Sequence, residues 1–345
     1  MGVENILESL SNKVVEIHKG HYPKDILLDL GKAGLYQPFL KNGENGLFQA
    51  IGNIAKVSQI CGNTGFCVWC QNALIWYLFN AKNKNERIKE LFKKASNGEI
   101  LGGTGLSNPM KAFVGIEKHK IKGKKVSNGI ALSGTLPWVS NIEKGHYFGA
   151  IVEMEYSSEF SLVLIECNEN AKLSHSVSFC ALEGSGTLAV CLDNYIVPSE
   201  DILVPDFKES LLEIIPAFVI LQGGIALGLI DSAIENCTKN LNIKGGINSY
   251  LSSLDDFVER RNNLVERTQN LAKTPYLKTK EYFRSALELK KDFIDLALEL
   301  ANQNMLFLGT KGYLQDSLAS KLLLESYFVA IVTPSLKHIN KILQS

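Results

Sequence analysis

The hydrophobic period of this chain changes twice, and few architectures accommodate that order. From Asn5 to about Glu99, apolar residues recur at helical spacing: Ile6, Leu10, Val14 and Ile17, then Ile26, Leu27 and Leu30, up to Gly31 and Gly34. A loop is expected around Pro38 and residues 43–46. Helices are expected over 48–60, over 65–81 (apolar on all sides) and over 85–96, where Ile88, Leu91 and Phe92 share one face. From 100 to 204 the period shortens towards two, with runs such as FGAIVEMEY and TLAVCLDNYIV between glycine turns. That spacing predicts a compact antiparallel sheet or barrel. After Pro205 the helical period returns, with helices expected over 216–240, 250–272, 278–306 and 318–344, an antiparallel four-helix bundle. Gly223, Gly224 and Gly228 would let the first of these approach a neighbour closely. The predicted fold is therefore α+β: an N-terminal helical domain (1–99), a middle antiparallel β-barrel or sandwich (100–205) and a C-terminal four-helix bundle (206–345).

Length and charge bound the function classes. A chain of 345 residues can form two or three packed units. Thirty-six Lys plus Arg balance thirty-six Asp plus Glu, so net charge gives no reason to expect nucleic acid or an anionic membrane as partner. No run reaches the roughly 20 apolar residues of a membrane span, and the N-terminus lacks the basic and apolar regions of a secretory signal, so a cytoplasmic location is expected. Seven cysteines are scattered; Cys67 and Cys70 frame Val68 and Trp69 in an apolar helical run, where they read as small buried hydrophobes. No histidine sits at metal-ligand spacing with another ligand except His18 and His21, which read as surface residues at a helix end, so no metal site is expected. The basic run 118–125 reads as a hairpin edge guarded by lysines.

Four local motifs, in order, resemble the acyl-CoA dehydrogenase superfamily over nearly the whole chain. GEILGGTGLSNP (98–109) is similar to the segment that opens that family's β domain, with Ser107, Asn108 and Pro109 in place of Thr-Glu-Pro. LSGTLPWVSN (132–141) is similar to Gly-x-Lys-x-Trp-Ile-Thr-Asn, matching at Gly134, Trp138 and Asn141, with Val139 and Ser140 as conservative changes. In GSGTLAVCLDNYIVPSEDIL (184–203), Asp193, Val197 and Pro198 fit the family's exit segment, and FLGTKGY (307–313) is a worn form of His-Gly-Gly-x-Gly-Tyr that retains Gly309.

The resemblance implies a flavin, FAD or alternatively FMN, between sheet and helices. It implies that the Ser107 hydroxyl and the backbone around Leu106 face the pyrimidine edge of the ring. Trp138 would cover one ring face, Ser140 would bond near the reactive nitrogen, and Val139 and Gly309 would also belong to the cofactor site. Residue type alone also allows Trp138 to be a core aromatic and Ser107 to start a turn before Pro109. Family dehydrogenases take a proton alpha to a thioester carbonyl with a glutamate; here Thr333 and Phe218 occupy its two known positions, leaving the catalytic residue unknown. Glu213 and Glu325 are the nearest carboxylates and read as solvated or capping. The arginine and glutamine that hold the FAD arm read Ile243 and Leu306, the second glycine is Thr310, and Lys239, Lys244 or Lys311 could stand in for the arginine. The implied functions are a flavin-dependent oxidoreductase acting on the CH–CH bond of an acyl thioester, a flavin monooxygenase or oxidase, or a non-catalytic scaffold. The implied partners are a small molecule, acyl-CoA among the candidates, and a second copy of the chain in a homodimer or homotetramer.

Overall fold

The computed structural model describes residues 2–157, 159–175, 177–241, 243–273 and 277–344, with backbone alone for 243–245. Six helices precede the first strand: α1 (Val3–His18), α2 (Lys24–Lys32), α3 (Pro38–Asn42), α4 (Leu47–Ile60), α5 (Gly62–Phe79) and α6 (Glu86–Ser96). The β region runs β1 (Gly102–Thr104), α7 (Ser107–Phe113), β2 (Ile121–Val126), β3 (Gly129–Val139), β4 (Tyr147–Met154), β5 (Phe160–Glu166), β6 (Ala171–Ser174), β7 (Leu188–Pro198) and β8 (Ile202–Val204). Then follow α8 (Phe207–Leu221), α9 (Gly223–Asn240), α10 (Leu254–Ala272), α11 (Lys280–Leu308), α12 (Leu318–Ile331) and α13 (Leu336–Gln344). Helices, strands and helices succeed one another as the changes of period predict.

Five details differ from the sequence expectation. Residues 38–46 form α3 and a 3-10 turn rather than a loop, because Pro38 occupies a first-turn position, where its missing N–H costs nothing. The first bundle helix starts at Phe207, with Asp206 accepting from the Lys208 amide, and carries Pro216 in its interior. The last predicted helix is two: Thr333 precedes a proline, which disfavours helical backbone there, and Pro334 has no N–H to continue the ladder. The sheet runs β6-β7-β3-β2-β4-β5-β8, with β1 beside β4; β1–β4 and β2–β4 are parallel and the other pairs antiparallel. Strand β2, which carries the basic run, does form a hairpin with β3, but it is no edge, since Lys122 and Gly123 pair with β4.

Two apolar cores hold the molecule. One lies within the sheet; the other runs continuously from α1 through α5 and α8 to α13. Helix α5 is buried all round from Gly62 to Leu78, which is why its sequence shows no polar face. Helix α9 lies against α4 at a spacing that excludes side chains: a Cβ at Gly228 would meet the Ala55 carbonyl at 2.4 Å. Taken together, α8 and α9 (Phe207–Asn240) are long and apolar enough to cross a membrane, contrary to the sequence expectation, but 94% of that window is buried inside the fold.

Candidate flavin site

A cavity of about 480 Å³ opens where the sheet meets the helices. Its volume is within the usual range of small-molecule sites. Hollows of about 660 and 620 Å³ lie at the end of β4 and between α8, α11 and α13; neither is lined by residues of the four motifs.

The aromatic wall comes from α5, α8 and α12. Phe66, Trp69 and Cys70 fall on one face of α5, and Phe218 and Phe328 complete that side. The opposite wall begins at the end of β3, whose pairing with β7 shifts register between Leu136 and Val139. Such an irregularity re-aims side chains. Trp138 stands 53% exposed over the cavity, with the Phe179 ring edge-on at 6.5 Å. Buried Asn141, in left-handed backbone, fixes the strand's exit: it donates to the Gly102 carbonyl and accepts from the Tyr22 hydroxyl at 2.8 Å.

Hydroxyls supply most of the polarity. Ser140 Oγ and Ser185 Oγ each bond Thr187 Oγ1 at 2.7 Å, forming a three-member chain along the β side. Thr104 Oγ1 lies 2.7 Å from the Tyr77 hydroxyl and accepts from the Leu106 amide. Ser107 Oγ is 2.8 Å from Thr333 Oγ1, joining α7 to the link between α12 and α13. That link is held from behind. Gln222 Nε2 donates to the Thr333 carbonyl at 2.9 Å, while the buried Lys290 ammonium donates to the Val332 and Pro334 carbonyls at 2.9 and 2.7 Å and to Gln222 Oε1. Burial drives the Lys290 pKa far down, yet three acceptors around one nitrogen suit the ammonium form.

Of the residues singled out from sequence, Ser107, Trp138 and Ser140 come together on the cavity, and so do Phe218 and Thr333, the two base positions. Leu106 and Val139 point into the cores. Gly309 ends α11 with φ +57° and does not line the cavity. Among the described residues that line it there is no Asp, Glu or His; Lys111 is its one ionised side chain. Glu213 pairs instead with Lys82 and Lys278, at 2.7 and 3.2 Å.

Glu325 is not solvated: it is 4% exposed, against the first turn of α5, with the His18 ring 3.3 Å away. His18 is accordingly no surface residue. Burial alone would lower its pKa, but contacts with Cys61 and Glu325 outweigh that and push it up to about 9. At the distal-arm positions Leu306 and Thr310 are exposed, Lys239 is engaged by Glu235, and the side chains of Ile243 and Lys244 lie outside the described residues.

Sequence reading missed the α5 residues, because a helix buried all round offers no preferred face. It also missed Ser185 and Thr187, although both stand in the quoted GSGT motif, and Lys111, two residues after Pro109.

The sheet between two helical regions, with a cavity at their junction, is the acyl-CoA dehydrogenase fold. Butyryl-CoA dehydrogenase from Megasphaera elsdenii superposes with TM-score 0.84 at 15% identity, covering 99% of this chain and 95% of that one. A glutaryl-CoA dehydrogenase from Mycobacterium smegmatis in complex with FADH2 gives 0.79 at 13%, covering 99% and 93%. KijD3 in complex with dTDP gives 0.82 at 14%, covering 99% and 94%. At such identities the likeness establishes the fold. No protein-family model and no curated protein sequence matches the chain.

Proposed function

We propose that the chain is a flavin-dependent oxidoreductase whose ring seat is the cavity beside Trp138, and that it works without a carboxylate base. One observation carries this reading: residues from separate motifs, Ser107, Trp138 and Ser140, line the same cavity as Phe218 and Thr333. The ring seat fits the group. A half-exposed indole offers an apolar face, and hydroxyls that can donate or accept adapt to the polar edge of an isoalloxazine. When bound, a flavin supplies acceptance of hydride or of single electrons. The protein's part is to seat the ring between Trp138 and the hydroxyl chain and to exclude water with the aromatic wall.

What the cavity does not supply is proton abstraction. An alcohol such as Thr333 is far too weak a base to take a proton alpha to a carbonyl, and Phe218 can only add apolar wall. Oxidase or monooxygenase chemistry on a small molecule, which needs no such base, therefore matches the site better than desaturation of an acyl thioester. The fold does not require a CoA substrate, since KijD3 shares it in complex with dTDP. FAD is the proposed cofactor; FMN is the alternative because Leu306 and Thr310 bring no charged group to a pyrophosphate arm. The same worn positions favour, as a second reading, a binding subunit without turnover.

A visible spectrum of the purified protein decides among these. The expected result is bound flavin, or uptake of added FAD or FMN, that acyl-CoA does not bleach and that consumes oxygen once a flavin reductase has reduced it. Bleaching by acyl-CoA would restore the dehydrogenase reading. Colourless protein that takes up neither flavin would leave the binding subunit. Trp138→Ala should lower flavin retention several-fold, and unchanged flavin content would remove the indole from the ring seat.

A further inference from the structure

We propose that the corner of the cavity formed by Ser107, Lys111 and Thr333 seats an anionic group of the substrate, a carboxylate or a phosphate carried on an apolar body. This rests on the reading of the cavity as the ligand site. Ser107 and Lys111 stand one turn apart on α7, so they share a face, and both line the cavity. Lys111 is the only ionised side chain among the described residues that do so. Its stem can lie along the wall while the ammonium meets the ligand.

The ammonium is held only by a loose ion pair. Its nearest carboxylate, Glu117, is 3.7 Å away, beyond hydrogen-bond distance, and the same Glu117 oxygen already accepts from Asn108 at 3.2 Å. Beside it, Ser107 and Thr333 bring two hydroxyl hydrogens and use one between them at 2.8 Å; neither hydroxyl makes another hydrogen bond among the described residues. One hydroxyl hydrogen and an ammonium without a hydrogen-bonded carboxylate thus share the same corner. Glu117 apart, the charges that bear on His338 are positive. Buried His338, held neutral down to about pH 4 first by burial, is further opposed by Lys290, Lys111 and Lys341. Between an aromatic wall and this corner, an ion pair is stronger than in open water. The ligand that satisfies both is amphipathic: an apolar body on Trp69 and Phe218, and an acid group on Lys111.

Tryptophan emission tests this with or without flavin, because Trp69 and Trp138 line the same cavity. The purified full-length protein is titrated with hexanoate, its neutral isostere hexanamide, and free coenzyme A, and flavin content is read from the visible spectrum of the same preparation. A saturable emission change is expected with an anion, at least ten-fold tighter than with hexanamide. Lys111→Met should abolish the difference and Lys111→Arg should keep it. Hexanoate binding that coenzyme A does not displace assigns the corner to a substrate carboxylate; coenzyme A binding that requires Lys111 assigns it to a carrier phosphate. Equal affinity for hexanoate and hexanamide, no saturable change with either anion, or unchanged affinity in Lys111→Met would overturn the proposal. Colourless protein that still discriminates acid from amide would sink only the flavin reading. Yellow protein that does not discriminate would sink only this one.

Discussion

His18 closes α1 and Glu325 sits on the first turn of α5, so each charge faces the helix end that favours it. A Cβ at position 62 would meet the Glu325 carboxylate at 2.6 Å, so a larger residue there would displace it. The His18 pKa is raised in the folded protein, from an ordinary 6.5 to about 9. The folded state therefore binds a proton that the unfolded chain releases first. The stabilisation is complete below pH 6.5 and disappears as pH rises through 9. Discounted for partial solvent exposure, its size is about 1–2 kcal/mol. Thermal unfolding should thus fall by a few degrees between these limits, and His18→Gln should flatten that part of the profile. An unaltered profile in the variant would show that the pair is not the cause. No reading of sequence could find this pair, since periodicity carries no signal for two residues joined only by packing between α1 and α12. The hydroxyls at 107 and 140 were legible for the opposite reason: each lies inside a local motif.

At the scale of elements, the break between α12 and α13 shapes the cavity most. The apolar pattern runs on through 318–344 and predicts one helix, because the side chains after Pro334 keep helical spacing. The proline interrupts the backbone, and three carbonyls, at Val332, Thr333 and Pro334, then need donors from outside the helix. Gln222, at the junction of α8 and α9, and Lys290, midway along α11, provide them. Both are buried polar residues, which pattern reading passes over as noise. Lys290→Met keeps the volume but leaves the Val332 and Pro334 carbonyls and Gln222 Oε1 without this donor, so it should cost about 2–4 kcal/mol in denaturant unfolding and loosen the Thr333 wall. A variant as stable as the parent would mean that water replaces the ammonium and that the clamp does not set the wall.

For the whole molecule, the order of helices, sheet and helices was readable because each change of period is long and bounded by Gly98 and Pro205. The sharing of one core by the first and last parts was not, since it depends on contacts between residues hundreds of positions apart. One consequence remains exposed. Leu324, Tyr327 and Ile331 form an apolar stripe along α12, continued by Tyr313, Leu314 and Leu318, and Ile331 also lines the cavity. Exposed apolar residues grouped beside a candidate ligand site would suit an interface with a second copy of the chain. The homo-oligomer that the sequence resemblance implies would cover this stripe and shield the cavity rim, so the site of one copy would be sealed by another. Sedimentation should show the wild type as a dimer or tetramer, and Leu324→Glu with Tyr327→Glu should give monomer, because two buried carboxylates facing their own symmetry copies cannot be paired. Flavin content should fall with it. A monomer that keeps its full complement of flavin would show that one copy closes the cavity alone, and a monomeric wild type would remove the interface altogether.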